Sequence, residues 1–301
     1  MVSRIPRMRV AVIDVGANTL RLLVAEANAN TGVTAVHEER RRTSLGEDVE
    51  RCGSLTPEKM TRSAEAARKE VRRARKLGAS RIAIVVTSPW RNARNGPELL
   101  DVLEQATNHP VQALTAEEEA ELAYVGALAG TAVDRYPVAV CDVGGGSTQL
   151  AIGSGPRPAW RRSIDLGSLR LTERCLRADP PTPEELEAAQ LEVERRFETL
   201  TPPLPASALA TGGTARALRR LGLERLDAAS LGDAIDELAG LPASARARRA
   251  KVDLQRARTL PAGALILARL QALLQISVGV AAGGIREGVC VNLLEAEAAT
   301  A

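Results

Sequence analysis

One strand–turn–strand pattern occurs twice in this chain, and it constrains the fold more than any other feature. The stretches IDVGANTLRLLVAE and CDVGGGSTQLAIG each combine an apolar strand, Asp-Val-Gly, small polar residues and a second apolar strand. The chain has 301 residues, which is long for one small core. We therefore expect two duplicated α/β domains that face each other across a cleft.

Strands and helices alternate along the sequence, which is typical of α/β proteins. Thr-Pro pairs open two amphipathic runs, as expected of helix starts. The predicted helices are 56–77, 98–107, 115–130, 182–200, 214–222, 227–240 and 261–275, and the predicted strands outside the repeated pattern include 81–87 and 111–114.

Thr115 and Glu118 are spaced as a capping box, which supports the helix that begins there. We place the domain boundary after residue 125. The expected domains are 1–125 and 126–301, with the last helix as a segment that could pack back on the first domain.

The composition excludes several classes of partner. The net charge is +3, from 40 basic and 37 acidic residues, which does not suit a protein that coats nucleic acid. Aromatic residues make up 2% of the chain, so platforms for base stacking are scarce. A polyanion could still bind if arginines gather in one channel.

The sequence does not indicate a zinc site or a membrane protein. Its cysteines form no CxxC pair, and only two histidines are present. No stretch approaches the ~18 apolar residues of a membrane span, and the start lacks a cleavage pattern. We expect a cytoplasmic enzyme with reduced thiols, in which Cys141 and Cys290 are small core residues.

The first copy of the repeated pattern contains Asp14, Gly16, Asn18 and Thr19. Glycine permits a tight turn and brings backbone amides toward an anion. Asn18 and Thr19 can donate to phosphate oxygens, Asp14 could hold a metal, and Arg21 adds positive charge. The alternative is an ordinary β-hairpin.

The second copy, from Asp142 to Thr148, gives a stronger indication. Gly144, Gly145 and Gly146 follow a buried strand, and such a run is costly unless the backbone must approach a ligand. Its amides suit a phosphate, with the hydroxyls of Ser147 and Thr148 beside them. A flexible turn is the alternative, and a Walker A loop is absent.

Three further segments follow strands or begin helices. Arg91 comes after a strand and could clamp a phosphate, unless it is a solvated residue of a helix start. The run Glu117–Glu121 suits a helix start, but one of its carboxylates could activate water. Gly212, Gly213 and Thr214 could bind phosphate, pack on a nucleoside or simply begin a helix.

Taken in order, these segments resemble the exopolyphosphatase and guanosine pentaphosphate phosphohydrolase (Ppx/GppA) family. The match extends from about Val10 to Leu294. Its pieces are IDVGANTLRLLVAE, TSPWRNARN, EEEAELAYVGA, DVGGGSTQL, SIDLGSLRLTE, ATGGTARAL, LPAGALIL and GIREG. The resemblance implies an actin-like (ribonuclease H-like) two-domain fold with its active site between the domains, as in the short members of the family.

The resemblance also implies site residues and a cofactor. Water is the expected nucleophile, Glu119 the catalytic base, and Mg²⁺ or Mn²⁺ the metal, held by Asp142 and secondarily Asp14. Arg91 and both glycine loops are expected to bind phosphate. The sequence Gly-x-x-Arg places Arg170 among the residues that could face the cleft.

Gln149 departs from the family pattern, in which this loop ends Ser-Thr-Glu. Gln is close to Glu in size, but it is neutral and cannot act as a base. We therefore expect Gln149 to affect metal affinity and catalytic rate, and not the fold.

The preferred hypothesis is an exopolyphosphatase that removes terminal phosphates from linear polyphosphate. Hydrolysis of guanosine pentaphosphate by the same residues is the nearest alternative. A weakly catalytic protein that binds guanosine tetraphosphate is another, and a sugar kinase or chaperone-type ATPase is a third. A homodimer is left open, and no nucleic-acid or membrane partner is expected.

Overall fold

The computed structural model describes residues 8–28 and 32–298. Within them the chain forms two α/β units, each built around one sheet. The first unit extends to Thr131 and includes the helix that begins at Ile285, and the second extends from Ala132 to Gly284. The predicted α/β class is confirmed. Residues 1–7, on which the expected lack of a cleavage pattern rests, lie outside the described residues.

The first unit contains a five-stranded sheet. Its strands are β1 (Arg9–Val15), β2 (Thr19–Asn28), β3 (Gly32–Arg42), β4 (Ala79–Val86) and β5 (Val111–Ala113). The helices between them and after them are α1 (Leu45–Cys52), α2 (Pro57–Lys76), α3 (Ser88–Asn92), α4 (Gly96–Thr107) and α5 (Ala116–Ala129).

The second unit contains a six-stranded sheet. Its strands are β6 (Val138–Val143), β7 (Thr148–Gly153), β8 (Trp160–Ile164), β9 (Ser207–Thr211), β10 (Arg225–Leu226) and β11 (Val278–Val280). Its helices are α6 (Ser168–Cys175), α7 (Pro183–Phe197), α8 (Gly212–Arg220), α9 (Ala228–Ala239), α10 (Ala243–Ala250), α11 (Leu254–Arg258) and α12 (Leu260–Leu274). The helix α13 (Ile285–Ala298) follows and packs in the first unit.

The two sheets repeat one topology, as the duplicated sequence pattern predicts. The first has the order β3-β2-β1-β4-β5, and the second has β8-β7-β6-β9-β11 with β10 added at its edge. In both, the first three strands are antiparallel neighbours and the next crossover strand is parallel to the central one. Each glycine loop therefore connects corresponding strands.

Strand β1 is buried on both faces, which explains its nearly continuous apolar sequence. Ala11, Ile13 and Val15 belong to a core that includes α2 and α4 residues. Val10 and Val12 belong to a second core shared with α5 and α13. Asp14 has the same parity as Val10 and Val12, so its carboxylate lies on the α13 side of the sheet.

Helix α13 packs closely against α5 because Gly288 has no side chain. A Cβ atom on Gly288 would lie 2.1 Å from the carbonyl oxygen of Leu122 in α5. Residues from Ile285 onward group with the first unit, and the sequence analysis had left open that the last helix of 126–301 packs back in this way. The expected boundary after residue 125 also falls inside α5.

We expect Gly288→Ala to lower the free energy of unfolding by about 1–3 kcal/mol, as for other overpacked sites. The added methyl group meets a backbone carbonyl, which cannot rotate away. Chemical denaturation monitored by circular dichroism measures the effect. Gly232→Ala in α9 is the matched control, because nothing lies within 4 Å of the position that its Cβ would take and alanine favours a helix. Equal stability of the two variants would contradict the packing argument.

Strand β3 was not predicted, and its exposure explains why. It is an edge strand that pairs with β2 alone, and most of its side chains are exposed or half-buried. Its sequence contains HEERRR, which lacks the apolar alternation of a core strand. Charged residues on an edge strand oppose pairing with other chains.

Other predictions about the chain agree with the structure. Both predicted core cysteines, Cys141 and Cys290, are buried, and all four cysteines are free. The predicted capping box at Thr115 and Glu118 is present. Within residues 8–28 and 32–298, no helix is both long and apolar enough to cross a membrane.

Candidate active site

The loop between β1 and β2 is a closed turn. The Gly16 amide donates to the Thr19 carbonyl at 3.0 Å, so it is not available to the phosphate that the sequence analysis assigned to it. The Asn18 carbonyl accepts from the amides of Thr43 and Ser44, each at 3.1 Å. The side chains of Asn18 and Thr19 are buried. The turn is therefore held by its own backbone and by the segment that precedes α1.

Asp14 lies next to this turn, and one oxygen of its carboxylate is unsatisfied. Its Oδ1 atom is buried and has no hydrogen-bond partner among the described residues. Burial raises the pKa of Asp14, while the charges of Arg21 and Arg286 act to lower it. Arg21 is its direct neighbour across the β1–β2 ladder. A buried carboxylate oxygen without a donor is suited to a hard cation.

Two residues beside Asp14 were not assigned a role from the sequence. Arg286 lies in the first turn of α13, is 7% exposed and pairs with Glu38 at 3.1 Å and with Glu287 at 3.5 Å. Its positive charge and the negative charge of Glu287 both act on Asp14. The GIREG segment was the signal that could have identified Arg286 and Glu287. Nothing in the sequence points to Glu38, which lies on the unpredicted strand β3.

Arg91 and Glu119 contact each other. The Nη1 atom of Arg91 donates to Glu119 Oε1 at 2.5 Å and to the carbonyl of Leu114 at 2.6 Å. Arg91 lies in the short helix α3, and Glu119 lies in the first turn of α5. The guanidinium thus orients the carboxylate that the sequence analysis expected to act as base.

The structure also distinguishes Glu119 from its neighbours. Glu119 is 3% exposed, whereas Glu117 and Glu118 are exposed. The Glu118 carboxylate accepts from the Thr115 amide at 2.7 Å, and its own amide donates to the Thr115 hydroxyl at 3.1 Å. Glu118 therefore caps the helix, and Glu119 is the carboxylate of the three that is held inside the fold.

The loop between β6 and β7 repeats the first turn. The Gly144 amide donates to the Ser147 carbonyl at 3.0 Å, which is the same i to i+3 contact as in the first loop. The amides of Gly145 and Gly146 donate to no acceptor within the described residues. Two such amides next to a turn form an anion-binding nest. In the first loop the Ala17 amide likewise donates to no acceptor within the described residues, so both loops keep backbone amides of the kind expected to meet a phosphate.

Helix α6 supports this loop through its first turn. The carbonyls of Gly144 and Gly145 accept from the amides of Ser168 and Leu169, each at 2.9 Å. A Cβ on Gly167 would lie 2.5 Å from Gly145 backbone atoms, so only glycine permits this approach. Arg170 is 3% exposed and pairs with Asp165. Arg170 thus fixes the segment that leads into α6.

The polar side chains after the glycines have separate contacts. The Thr148 hydroxyl is fully buried and donates to the Leu166 carbonyl at 2.6 Å, which gives it a structural contact in place of the predicted phosphate contact. Gln149 is 1% exposed, and its Nε2 donates to the hydroxyls of Ser147 at 2.9 Å and Ser163 at 3.2 Å. The Ser147 hydroxyl therefore links the end of the loop to the side-chain amide of Gln149.

Gln149 is the direct neighbour of Asp142 across the β6–β7 ladder. It occupies the position that Arg21 occupies opposite Asp14 in the first unit. Directly opposed residues have side chains on the same face of the sheet. The prediction that Gln149 lies beside a candidate metal ligand thus has a geometric basis in the register of the sheet.

The start of α8 also lies beside Asp142. Gly212 has a φ angle of +93°, and a Cβ there would lie 2.8 Å from Asp142 Oδ1. Gly213 faces the guanidinium of Arg256, which would lie 2.6 Å from an added Cβ. Thr214 instead packs against α12, where it occupies the space left by Gly263. Gly212 and Gly213 therefore permit close approaches at the site, and Thr214 belongs to the core.

Arg256 is another residue that the sequence analysis missed. It lies in α11, in the arginine-rich part of the chain, and no motif distinguished it from its neighbours. Because Gly213 has no side chain, the Arg256 guanidinium can lie against the start of α8.

The comparison with known proteins decides the family. A model of the Ppx/GppA phosphatase family matches residues 23–297. This chain belongs to that family. Its resemblance to the family's motifs, the predicted actin-like two-domain fold and the assignment as a phosphohydrolase acting on phosphoanhydride bonds are therefore confirmed.

Individual members of the family are similar over nearly their whole length. Exopolyphosphatase 2 of Mycobacterium tuberculosis is 32% identical over 296 residues, which cover 90% of this chain and 92% of the relative. Exopolyphosphatase 1 of the same organism is 28% identical over 309 residues, covering 97% and 90%. The crystal structure of the Aquifex aeolicus Ppx/GppA family member superposes with a TM-score of 0.83 at 26% identity, covering 97% and 99%.

The residues present are compatible with the magnesium ion that the Ppx/GppA resemblance implies. Among the described residues, no three His, Cys, Asp or Glu side chains gather into a metal cage. Mg²⁺ is usually held by one or two carboxylates together with substrate phosphates, so a full cage is not required. Asp14 has a buried oxygen without a donor, and Asp142 lies beside the second glycine loop.

We expect Arg91→Ala to raise KM for polyphosphate and to lower kcat, each by about tenfold, the order of one charged contact. The variant removes the cation that the family resemblance implies for phosphate binding, and it leaves the buried Glu119 carboxylate without its guanidinium. Steady-state phosphate release measures both constants. Arg94→Ala is the matched control, because Arg94 is exposed and donates to the Cys52 carbonyl at 2.8 Å, away from Glu119. Similar constants for the two variants would contradict the role of Arg91.

Proposed function

We propose that this phosphohydrolase is an exopolyphosphatase, which removes the terminal phosphate of linear polyphosphate as orthophosphate. One observation carries the proposal: a buried carboxylate, Glu119, is held by an arginine in a protein whose second glycine loop has two amides without acceptors among the described residues. These are the base and the anion site that terminal phosphate hydrolysis needs. The names of the two mycobacterial relatives support the same substrate.

The proposed reaction takes place at the terminal phosphorus. Glu119 accepts a proton from water, the water oxygen forms a bond to phosphorus, and the bond to the bridging oxygen breaks. The products are orthophosphate and a chain that is one unit shorter. Arg91 and the amides of Gly145 and Gly146 bind the non-bridging oxygens and offset their growing charge.

Mg²⁺, or Mn²⁺ in its place, would be held by Asp142 and Asp14 together with the substrate. When bound, it would neutralise phosphate charge and align the terminal group. The proposal assigns both glycine loops to one substrate, as the Ppx/GppA resemblance implies. Within the first loop, Asn18, Thr19 and Arg21 are proposed to contact phosphate, and the Gly16 amide closes the turn as the Gly144 amide does in the second loop.

Polyphosphate is favoured over guanosine pentaphosphate because aromatic platforms for a base are few. The chain has five aromatic residues. Tyr124 and Phe197 are fully buried, the indole N–H of Trp90 donates to a backbone carbonyl, and Trp160 lies under an arginine guanidinium. Tyr136 is exposed, but it precedes β6, whereas the second glycine loop follows that strand. Recognition of the phosphate chain itself requires none of these rings.

A competition assay tests the choice of substrate. Orthophosphate release would be measured with a panel of polyphosphates, guanosine pentaphosphate and guanosine tetraphosphate, with and without Mg²⁺. We expect polyphosphate to give the highest kcat/KM and to inhibit pentaphosphate turnover. A higher kcat/KM for pentaphosphate would overturn the assignment. Tight tetraphosphate binding without any turnover would instead favour a binding protein.

A further inference from the structure

A concave surface lies on α2, apart from the residues assigned to the active site. It has a volume of about 460 Å³ and is lined by Lys69, Arg72, Arg73, Lys76 and Leu77. The four cations are called here the basic face of α2, and Arg72, Arg73 and Lys76 follow Lys69 by three, four and seven residues. Such spacing places side chains on one side of a helix. Four of the five lining residues therefore present positive charge to one concavity.

Most of this charge is not neutralised by the protein. Arg73 approaches Glu39 and Glu70, each at 3.7 Å. Lys69, Arg72 and Lys76 are exposed, and none of them forms an ion pair within the described residues. The basic face thus retains three cations that are free to meet an anion from solution.

The helix dipole explains only part of this arrangement. Cations in the last turn of a helix are stabilising, which accounts for Arg73 and Lys76. Lys69 and Arg72 lie before that turn, and each is three or four residues from another cation of the face. Like charges at this spacing destabilise a helix, so a ligand that neutralises them is the more complete explanation.

The arrangement of the cations along the helix favours a linear polyanion as the ligand. The face extends over seven residue steps of helix, or about 10 Å. It contains no aromatic side chain on which a base could stack, and its one apolar member is Leu77. A row of cations without a base-reading group matches a chain of phosphates better than a nucleotide or a nucleic acid.

The face also lies at the far end of the first sheet from the phosphate loop. Arg9, the first residue of β1, donates to the carbonyl of Leu77 at 2.7 Å, whereas the loop follows the last residue of β1. A seven-residue strand separates the two ends, or about 20 Å. One short polyphosphate cannot occupy both places, but a long one can.

We propose that the basic face of α2 is a second, non-catalytic binding site for inorganic polyphosphate. It holds a part of a long chain that is remote from the reacting end and so raises affinity for long substrates. Two linked contacts on one ligand bind more tightly than either alone. This inference rests on the proposed function, since it takes polyphosphate to be the substrate.

The test compares two double variants. The first combines Lys69→Gln and Arg72→Gln, and the control combines Arg68→Gln and Arg75→Gln. Both remove two positive charges from exposed positions of α2, but Arg68 and Arg75 do not line the concavity. We expect the first variant to raise KM for chains of several hundred phosphates by about tenfold, the order of two exposed ion pairs. Tripolyphosphate, which cannot reach both places, should show no such change.

Equilibrium binding of the same long chain in chelator, where turnover is not needed, separates this proposal from the proposed function. Weaker binding by the first variant alone supports the site even if the wild-type protein hydrolyses no polyphosphate. Equal weakening by both variants, or a KM change that is the same for tripolyphosphate, would overturn it. A single-stranded oligonucleotide that competes as well as polyphosphate would overturn the choice of ligand.

Discussion

Glu119→Gln is expected to lower kcat for polyphosphate by about 10²–10⁴, the usual contribution of a general base. Gln keeps the shape of Glu119 but cannot accept a proton from water. Substrate affinity should be kept or should rise, because Arg91 then faces a neutral amide in place of a carboxylate. Single-turnover phosphate release measures the chemical step, and binding in the same buffer measures the affinity.

Glu118→Gln is the matched control for this result. Glu118 is exposed and caps α5 through Thr115, and Gln can form the same capping box. The kcat of Glu118→Gln should equal that of the wild-type protein. A normal rate in Glu119→Gln, or an equal loss in Glu118→Gln, would remove Glu119 from the mechanism.

Gln149→Glu is expected to make the free energy of unfolding of the second unit depend on the Mg²⁺ concentration. The new carboxylate would lie directly opposite Asp142 in the β6–β7 ladder, in a position that is 1% exposed. Two unit charges roughly 4 Å apart repel by about 4 kcal/mol at an effective dielectric constant of about 20. Uptake of a proton by one carboxyl reduces that penalty, so we expect a loss of about 1–3 kcal/mol in chelator.

A divalent cation between the two carboxylates would reverse the effect. We expect Mg²⁺ to restore the stability of Gln149→Glu. The variant should need a lower Mg²⁺ concentration than the wild-type protein for half-maximal activity, and its rate should be higher. Thermal unfolding and phosphate release, each titrated with Mg²⁺, measure the two quantities. Gln112→Glu, at an exposed position of β5, controls for the added charge.

Two results would contradict this prediction. If Gln149→Glu is as stable in chelator as the wild-type protein, the two side chains do not interact. If its Mg²⁺ requirement is unchanged or higher, Asp142 does not hold the metal with this position. The site would then have adapted to a neutral residue, with the Gln149 amide retained for its contacts to Ser147 and Ser163.

The duplicated architecture could be predicted from the sequence because the repeated motif reports local geometry. An apolar strand that ends in Asp-Val-Gly needs a turn, and two such turns predict two sheets of the same topology. The acidic residue at Glu119 could be separated from Glu118 only through the family resemblance. Both belong to one acidic run, and burial is decided by how α5 packs.

Other features could not be predicted, because they depend on contacts between distant segments. The pairing of Arg91 with Glu119 joins residues 28 positions apart. The approach of Arg286 to Glu38 joins positions 248 apart, and Glu38 lies on β3, a strand that the sequence pattern did not indicate. The Gly16 amide closes its turn by donating to the Thr19 carbonyl, and the phosphate contact expected of this loop stays a prediction.

The product pattern from long-chain polyphosphate tests the proposed activity most directly. The protein would be incubated with chains of uniform length and Mg²⁺, and the products would be separated by gel electrophoresis while orthophosphate is counted. We predict orthophosphate from the earliest times, with the remaining chains shortened from their ends. Internal fragments without matching orthophosphate, or no products under conditions in which guanosine pentaphosphate is hydrolysed, would contradict it.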